Sequence, residues 1–556
     1  MANERNTLAI RWQDLVAQKR RECQEKIPPE WTLSTDLLVV PPRLLEYDLP
    51  RRSGLLSEIE LDITENFSAT QLLAKLASGE VSSLAVTTAF CKRAAIAQQV
   101  ISCLTETFFS QALDRAHFLD TYLAREGKPI GPLHGLPISL KDSFCVEGVQ
   151  STIGYVSFLN NPPETRNSSL VEMLLQLGAV LYVKTNIPQT AMTADSENNI
   201  FGRTLNPHNT SLTAGGSSGG EGALIAFRGS ILGVGTDVAG SIRIPSLCCG
   251  IYGFKPTADR IPYGGQARGS MKGLPGLTAA AGPLAHSIED LQLFMRVAVG
   301  YGQAWEYDET AVGIPWLSDL RVTEKRKGSL RIGVLSEDRH FPLHPPVKRA
   351  LERAIAALTR DGHRIIRVGN QDKDGLSVAY ASRLAYQYFT YGPRINMNHI
   401  AASGERLVKS VARFDNPLFS GPLPVDQELE PFQKIEQLHI ARQRVSDAWR
   451  QVWVEQKLDA ILAPGAQNTA VGHDTYAWPP YTVMWNLLDY PACIIPFDKA
   501  SKEQDPENMT TGDAVQPDYH PDEVDGAPCA IQVITPRFQD EKCLWAADII
   551  DRSIHA

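Results

Sequence analysis

Between Ala214 and Pro245 the chain reads AGGSSGGEGALIAFRGSILGVGTDVAGSIRIP, with two serine clusters in glycine-rich surroundings. The first is Gly215-Gly216-Ser217-Ser218-Gly219-Gly220 and the second is Asp237-Val238-Ala239-Gly240-Ser241. Such runs let backbone approach a ligand closely and leave N–H groups free to converge on a developing oxyanion. A serine hydroxyl attacks a carbonyl only when a base takes its proton. The chemistry to look for is acyl transfer through a serine, and the questions are which serine and which base.

Gly216-Ser217-Ser218-Gly219-Gly220 fits GxSxG, the nucleophile elbow of α/β-hydrolases, with Ser218 central. That elbow needs a strand just before the serine, and residues 206–214 are polar and turn-like. A phosphate-binding loop fails because no Lys-Ser/Thr follows the glycines. Gly233-Val-Gly235 lacks the third glycine of a dinucleotide fingerprint. Ser241 is the better nucleophile candidate, because it follows the N–H-rich turn Val238-Ala239-Gly240. Twelve histidines offer no obvious base. His286 precedes Ser287 and Asp290 in a helix-start pattern, and His134 reads as structural. Lys141 closes the alternating apolar run Leu136-Pro-Ile-Ser-Leu. Lysine acts as a base only when burial or cationic neighbours keep it neutral. On residue type alone, an ion-paired surface lysine is the simpler assignment.

The elements that must position these residues follow an α/β grammar. A helix over 112–125 leads through Gly127 and Pro129 to the strand ending at Lys141. A second helix over 169–177, stopped by Gly178, leads to an apolar strand over 179–185. The grammar recurs with strands over 330–335 and 364–368 around a helix over 346–359. Further short strands are predicted over 458–462, 492–496 and 530–534, before a last helix over 541–550. A short small-residue helix over 221–228 separates the two serine clusters. Repeated αβ alternation predicts one large mixed sheet covered by helices on both faces. Residues 1–100 predict a helical segment packed on a catalytic domain over 101–556. Its helices are expected over 8–27, 68–80 and 82–98, with 31–55 extended over a surface. Residues 499–525 are polar and proline-punctuated and read as a mobile surface loop.

The formal net charge of −9, with no long basic run, argues against nucleic acid as partner. Nine cysteines lack CxxC spacing, so neither a disulfide framework nor a zinc ribbon is expected and no metal site is read. The first residues are too charged for a signal peptide, and no apolar run reaches membrane-span length. A cytoplasmic protein is expected, with a homodimer left open.

The sequence resembles the amidase signature family, with fungal acetamidases and general amidases the nearest likeness. The resemblance rests on GLPISLKDSF, GGSSGGEGAL and GVGTDVAGSIRIP, with the family's spacing between Ser217 and Ser241. It extends through CKRAAIAQQ, YVKTNIPQT, GPLAHSIEDL, LDAILAP and GAPCAIQVI, nearly the whole chain. It implies an amidase without cofactor that cleaves a small-molecule carboxamide through a serine acyl-enzyme. The implied triad is Lys141, Ser217 and Ser241, with a cis peptide bond before Ser217 and Ser241 as nucleophile. It further implies an oxyanion hole from the N–H groups of Val238, Ala239, Gly240 and Ser241. Ser218, Ala191 and Met192 would line the substrate site, and Asp237 and Arg243 would hold the turn. Many members carry glycine where this chain has Ala239, a change that penalises φ > 0 there. Acyl transfer to an amine or alcohol, an amidotransferase subunit and a non-catalytic binding relative are the alternatives weighed.

Overall fold

The computed structural model describes residues 11–269, 276–317, 329–391, 395–414, 423–511 and 517–556. The helices begin where the sequence supplies caps. Ser57 and Ser68 each form a capping box, with Glu60 and Gln71, at the starts of Glu58–Glu65 and Ala69–Ser78. Ser82 caps the helix Ser83–Ile101, and Ser287 caps Ile288–Met295.

Among the described residues thirteen strands follow in chain order: β1 (Leu104–Thr107), β2 (Pro137–Lys141), β3 (Val180–Thr185), β4 (Glu197–Asn198), β5 (Gly202–Arg203), β6 (Leu232–Asp237), β7 (Tyr252–Lys255), β8 (Ala280–Ala285), β9 (Arg331–Leu335), β10 (Arg364–Val368), β11 (Ala460–Pro464), β12 (Ala492–Lys499) and β13 (Pro528–Ile534). Eleven of them form one mixed sheet in the order β1-β3-β2-β6-β8-β7-β12-β13-β11-β9-β10, and β4 and β5 pair separately. The strands β3, β2 and β6 are mutually parallel neighbours. Their carboxyl ends, at Thr185, Lys141 and Asp237, therefore lie along the same edge. In α/β sheets that edge is where ligand sites form. The fold class expected from the sequence, a large mixed sheet with helices packed against it, is the one observed.

One apolar core runs from Ile27 to Ile554 and includes both N-terminal and C-terminal helices. The helix expected over 8–27 is observed as Trp12–Glu25, its first residues lying outside those described. The stretch 31–55, expected to be extended, instead holds two short helical turns, Leu44–Tyr47 and Leu49–Arg52, with Leu44, Leu49 and Pro50 buried. The expectation of a mobile loop over 499–525 is corrected where that stretch is described. Ala500, Tyr519 and Val524 are buried in a second apolar cluster, and Met509 and Tyr519 bridge through their backbones. Its polar composition hid the few apolar anchors that pin it down.

The helix Gly219–Ala226, buried throughout, seats the first serine cluster against the sheet. Its second residue explains how closely. A Cβ on Gly220 would lie 2.3 Å from Asn186 N and 2.5 Å from the Cys103 carbonyl oxygen, both main-chain atoms that cannot swing aside. Gly220→Ala is therefore expected to lower the melting temperature and to abolish activity, because the helix can no longer dock. A thermal melt with unchanged midpoint would contradict this.

Candidate active site

Lys141, the last residue of β2, is buried, and its Nζ lies 2.7 Å from Ser217 Oγ and 2.9 Å from Thr236 Oγ1. Burial pushes the Lys141 amine down to about 7, while the negative charges of Asp237 and Glu221 act in the opposite sense. Near neutrality a large fraction of this amine is unprotonated, which is the state a base requires. The surface ion-pair role is thus not the one the fold gives this residue.

Ser217 follows a cis Gly216–Ser217 peptide bond. Its loop is held from both sides by Ser196, whose Oγ donates to the Gly215 carbonyl (2.9 Å) and accepts from the Gly219 N–H (3.1 Å). The second serine cluster is stitched to the first, since the Ser218 N–H donates to the Ser241 carbonyl at 3.1 Å. The Ser218 side chain is buried and faces the backbone of Thr236, at 3.4 Å from both its N and O. Ser218 is therefore a packing residue of this turn, and no strand leads into it, as an elbow nucleophile would need. Ser241 is only half buried and so open to a reactant.

The turn from Asp237 to Ser241 winds around the Asp237 carboxylate. That group accepts from the N–H groups of Gly240 (2.9 Å) and Ile242 (3.1 Å) and from Asn486 Nδ2 (2.9 Å). Arg243 grips it through Nε and a terminal nitrogen, both at 3.0 Å. Burial alone would raise the Asp237 pKa, but the Arg243 guanidinium, the Lys255 charge and the Asn486 amide hold it well below the usual carboxylate range. Arg243 is itself anchored by the Thr482 carbonyl (3.0 Å), Asn486 Oδ1 (2.5 Å) and Gln532 Oε1 (2.8 Å). The sequence gives the pair Asp237 and Arg243 but not Asn486 and Gln532, which lie hundreds of residues away.

Of the four N–H groups expected to converge here, that of Gly240 is donated to Asp237. Among the described residues, those of Val238, Ala239 and Ser241 donate to nothing. The positive φ of the turn falls on Gly240 (135°), not on Ala239, so the alanine carries no backbone penalty. A side chain at Gly240 would also strike Thr482 Oγ1 at 2.5 Å. That threonine hydroxyl donates to the Ala239 carbonyl at 2.6 Å and fixes the turn from the far side.

Thr190 and Ala191 both adopt left-handed backbone (φ 73° and 57°), and the next residue, Met192, is 38 % exposed. Ala191 packs on an apolar cluster of Ile153, Tyr155, Ile187 and Ile400. Both alternative histidine bases stand elsewhere in the hydrogen-bond network. His134 accepts the Ile130 N–H at 3.2 Å, and His286 Nε2 lies 2.7 Å from the Ile225 carbonyl beside the capped helix. Thr236 and Glu221 were not expected from the sequence. Thr236 sits one residue before Asp237 in a strand whose glycines mask its periodicity. Among the described residues no group of His, Cys, Asp and Glu is arranged to hold a metal.

The model of the amidase family matches residues 85–544. This chain belongs to the amidase family. As an amidase it is an amide-hydrolysing enzyme. It is 40 % identical over 551 residues to an amidase of Gibberella moniliformis, covering 98 % of this chain and 99 % of that one. It is 39 % identical to an acetamidase of Emericella nidulans, over 97 % and 98 % of the two chains. Among solved structures, a fatty acid amide hydrolase superposes with a TM-score of 0.85 at 32 % identity, over 98 % of this chain and 95 % of that one.

Burial of the Lys141 amine has a thermodynamic consequence in this amidase. Its folded pKa is lowered to about 7, against about 10.4 for an unfolded lysine. Between these values the unfolded chain binds more protons than the folded one, so this residue makes stability rise with pH. Its cost to the fold is complete below about 7 and absent above about 10.4. Lys141→Met is therefore expected to gain stability relative to the parent at pH 7, with the difference shrinking toward pH 10. Thermal melts of both proteins across that range check this, and a difference independent of pH would contradict it.

Proposed function

We propose that this amidase hydrolyses a carboxamide through an acyl-enzyme on Ser241, with Lys141 as the base and Ser217 as the relay between them. The observation that carries the reading is the buried Lys141 amine 2.7 Å from Ser217 Oγ, at the edge where the two serine clusters meet. Neutral Lys141 accepts the Ser217 proton while Ser217 accepts that of Ser241. The Ser241 oxygen then attacks the amide carbonyl. The resulting oxyanion would be met by the free N–H groups of Val238, Ala239 and Ser241. Gly240 contributes instead by letting the turn close around Asp237.

Run backwards, the relay delivers the proton to the leaving amine, without which the C–N bond does not break. Water then enters by the same base, and the acyl group leaves as carboxylate. Asp237 and Arg243 take no proton in this scheme. They are a fully paired buried couple whose task is to hold the N–H groups in place. Ala191 and Met192 would flank the acyl chain, and a small residue at 191 would leave that chain more room than a bulky one. The acetamidase likeness supports a small acyl group as first substrate to assay.

A fluorophosphonate is expected to label the parent protein and Lys141→Ala far more slowly, and not to label Ser241→Ala at all. A loss of roughly 10²-fold or more in the labelling rate is expected for removal of the base. Peptide mass spectrometry locates the adduct. Labelling at Ser218, or equal rates in parent and Lys141→Ala, would contradict the assignment.

A further inference from the structure

Four residues after Ser217, the helix Gly219–Ala226 buries a carboxyl group, that of Glu221, with no exposure to solvent. Its Oε2 accepts from Ser139 Oγ at 2.6 Å and its Oε1 from Thr185 Oγ1 at 3.0 Å. Both hydroxyls flank Lys141. Ser139 precedes it by two residues on β2, hence on the same face of the strand, and Thr185 is its partner in the β2–β3 register. The Ser139 hydroxyl also contacts Ser230 Oγ at 2.8 Å. A carboxyl buried among hydroxyls alone is costly unless a counter-charge is near.

That helix packs on β2, β3, β6, β8 and the helices Ser83–Ile101 and Arg243–Cys248. Strand β3 carries Tyr182 and Lys184, and Lys184 is paired with Asp142 at 3.3 Å. Strand β6 ends at Asp237, paired with Arg243 from the helix Arg243–Cys248. The helix Ser83–Ile101 carries Lys92 and Arg93, paired with Glu60 and Glu65 at 2.7 Å. Tyr182, Cys91 and Cys248 are pushed up by burial and stay uncharged, and burial pushes His286 beyond β8 down to about 3. Lys141 on β2 is then the cation of this group without a salt-bridged carboxylate among the described residues, and Glu221 is the carboxyl without a salt-bridged cation.

We infer that Glu221 is a positioning residue for the hydrolysis: its charge sets the basicity of Lys141, and the hydroxyls of Ser139 and Thr185 hold it beside that residue. This rests on Lys141 being the base proposed above. An ionised Glu221 favours the ammonium form of Lys141, and a neutral Glu221 leaves the amine less basic. Burial raises Glu221 above the usual carboxylate range, while the hydrogen bonds of Ser139 and Thr185 and the Lys141 charge favour its ionised form. The same helix that delivers Ser217 thereby also carries the group that tunes its proton acceptor.

The test is the pH dependence of fluorophosphonate labelling of Ser241, which needs no knowledge of the natural substrate. Glu221→Gln keeps the shape but not the charge, and its amide nitrogen must donate to one hydroxyl where the carboxylate accepted from it. Its acid limb is expected to move to lower pH by roughly 0.5 unit or more. Thr185→Val removes a hydrogen bond that favours the ionised carboxylate. It is expected to move the limb the same way in the parent and to do nothing further in the Glu221→Gln background. A merely structural role would leave the limb in place. An unmoved limb in folded Glu221→Gln, or in Thr185→Val should Glu221→Gln not fold, overturns the inference and leaves Lys141 as base. A Thr185→Val shift that persists in Glu221→Gln also overturns it. A parent protein with no acid limb overturns the base assignment itself, and this inference with it.

Discussion

Taking one lysine side chain out of water is the constraint on which the site depends. Lys141 ends β2 inside the sheet, and its amine finds two hydroxyls, those of Ser217 and Thr236, but no carboxylate within salt-bridge distance among the described residues. The missing ion pair matters as much as the burial. A carboxylate in direct contact would fix the ammonium form and remove the free electron pair. The parallel strands β3, β2 and β6 make this arrangement possible, because they bring Thr185, Lys141 and Asp237 to one edge. Two of those residues face the amine's surroundings with neutral or already-paired groups.

The proposed acyl transfer would also need a rigid turn able to accept an oxyanion, and here the molecule does the reverse. It buries a complete ion pair and satisfies it on every side. Asp237 gathers main-chain N–H groups of its own turn, and Arg243 is tied to Thr482, Asn486 and Gln532. Breaking such a pair by removing one member leaves a stranded charge, typically about 3–5 kcal/mol of destabilisation. The turn is therefore tied to the helix Pro480–Leu488 and to β13, far along the chain. This connects the core's integrity to the position of three free N–H groups.

Much of this was legible in the sequence, and the failures have physical causes. Strands β2 and β3 declare themselves by apolar alternation and by the Gly178 stop between helix and strand. The serine clusters stand out by residue type, whereas Lys141 stands out only through the family resemblance. Strand β6 does not, because LGVGTD carries two glycines where large side chains would mark a strand. Those glycines leave room for Ser218 and Glu221, so the feature that hides the strand is the one the site needs. The helix Pro480–Leu488 is buried on all sides and so has no polar face to give it a helical period. Thr482 and Asn486, four residues apart on it, could be found only once the sheet had brought them to the turn. Glu221 was not singled out in the sequence, because its meaning depends on the register between β2 and β3.

The central claim is that residue 141 carries an amine of which about half is neutral at pH 7. Its most direct test is an NMR titration of the protein labelled with ¹³Cε-lysine. One lysine resonance, absent from Lys141→Arg, is expected to titrate with a midpoint of about 7, well separated from the others. If every lysine resonance instead titrates near the ordinary value of about 10.4, the amine is charged at neutral pH and the account is wrong.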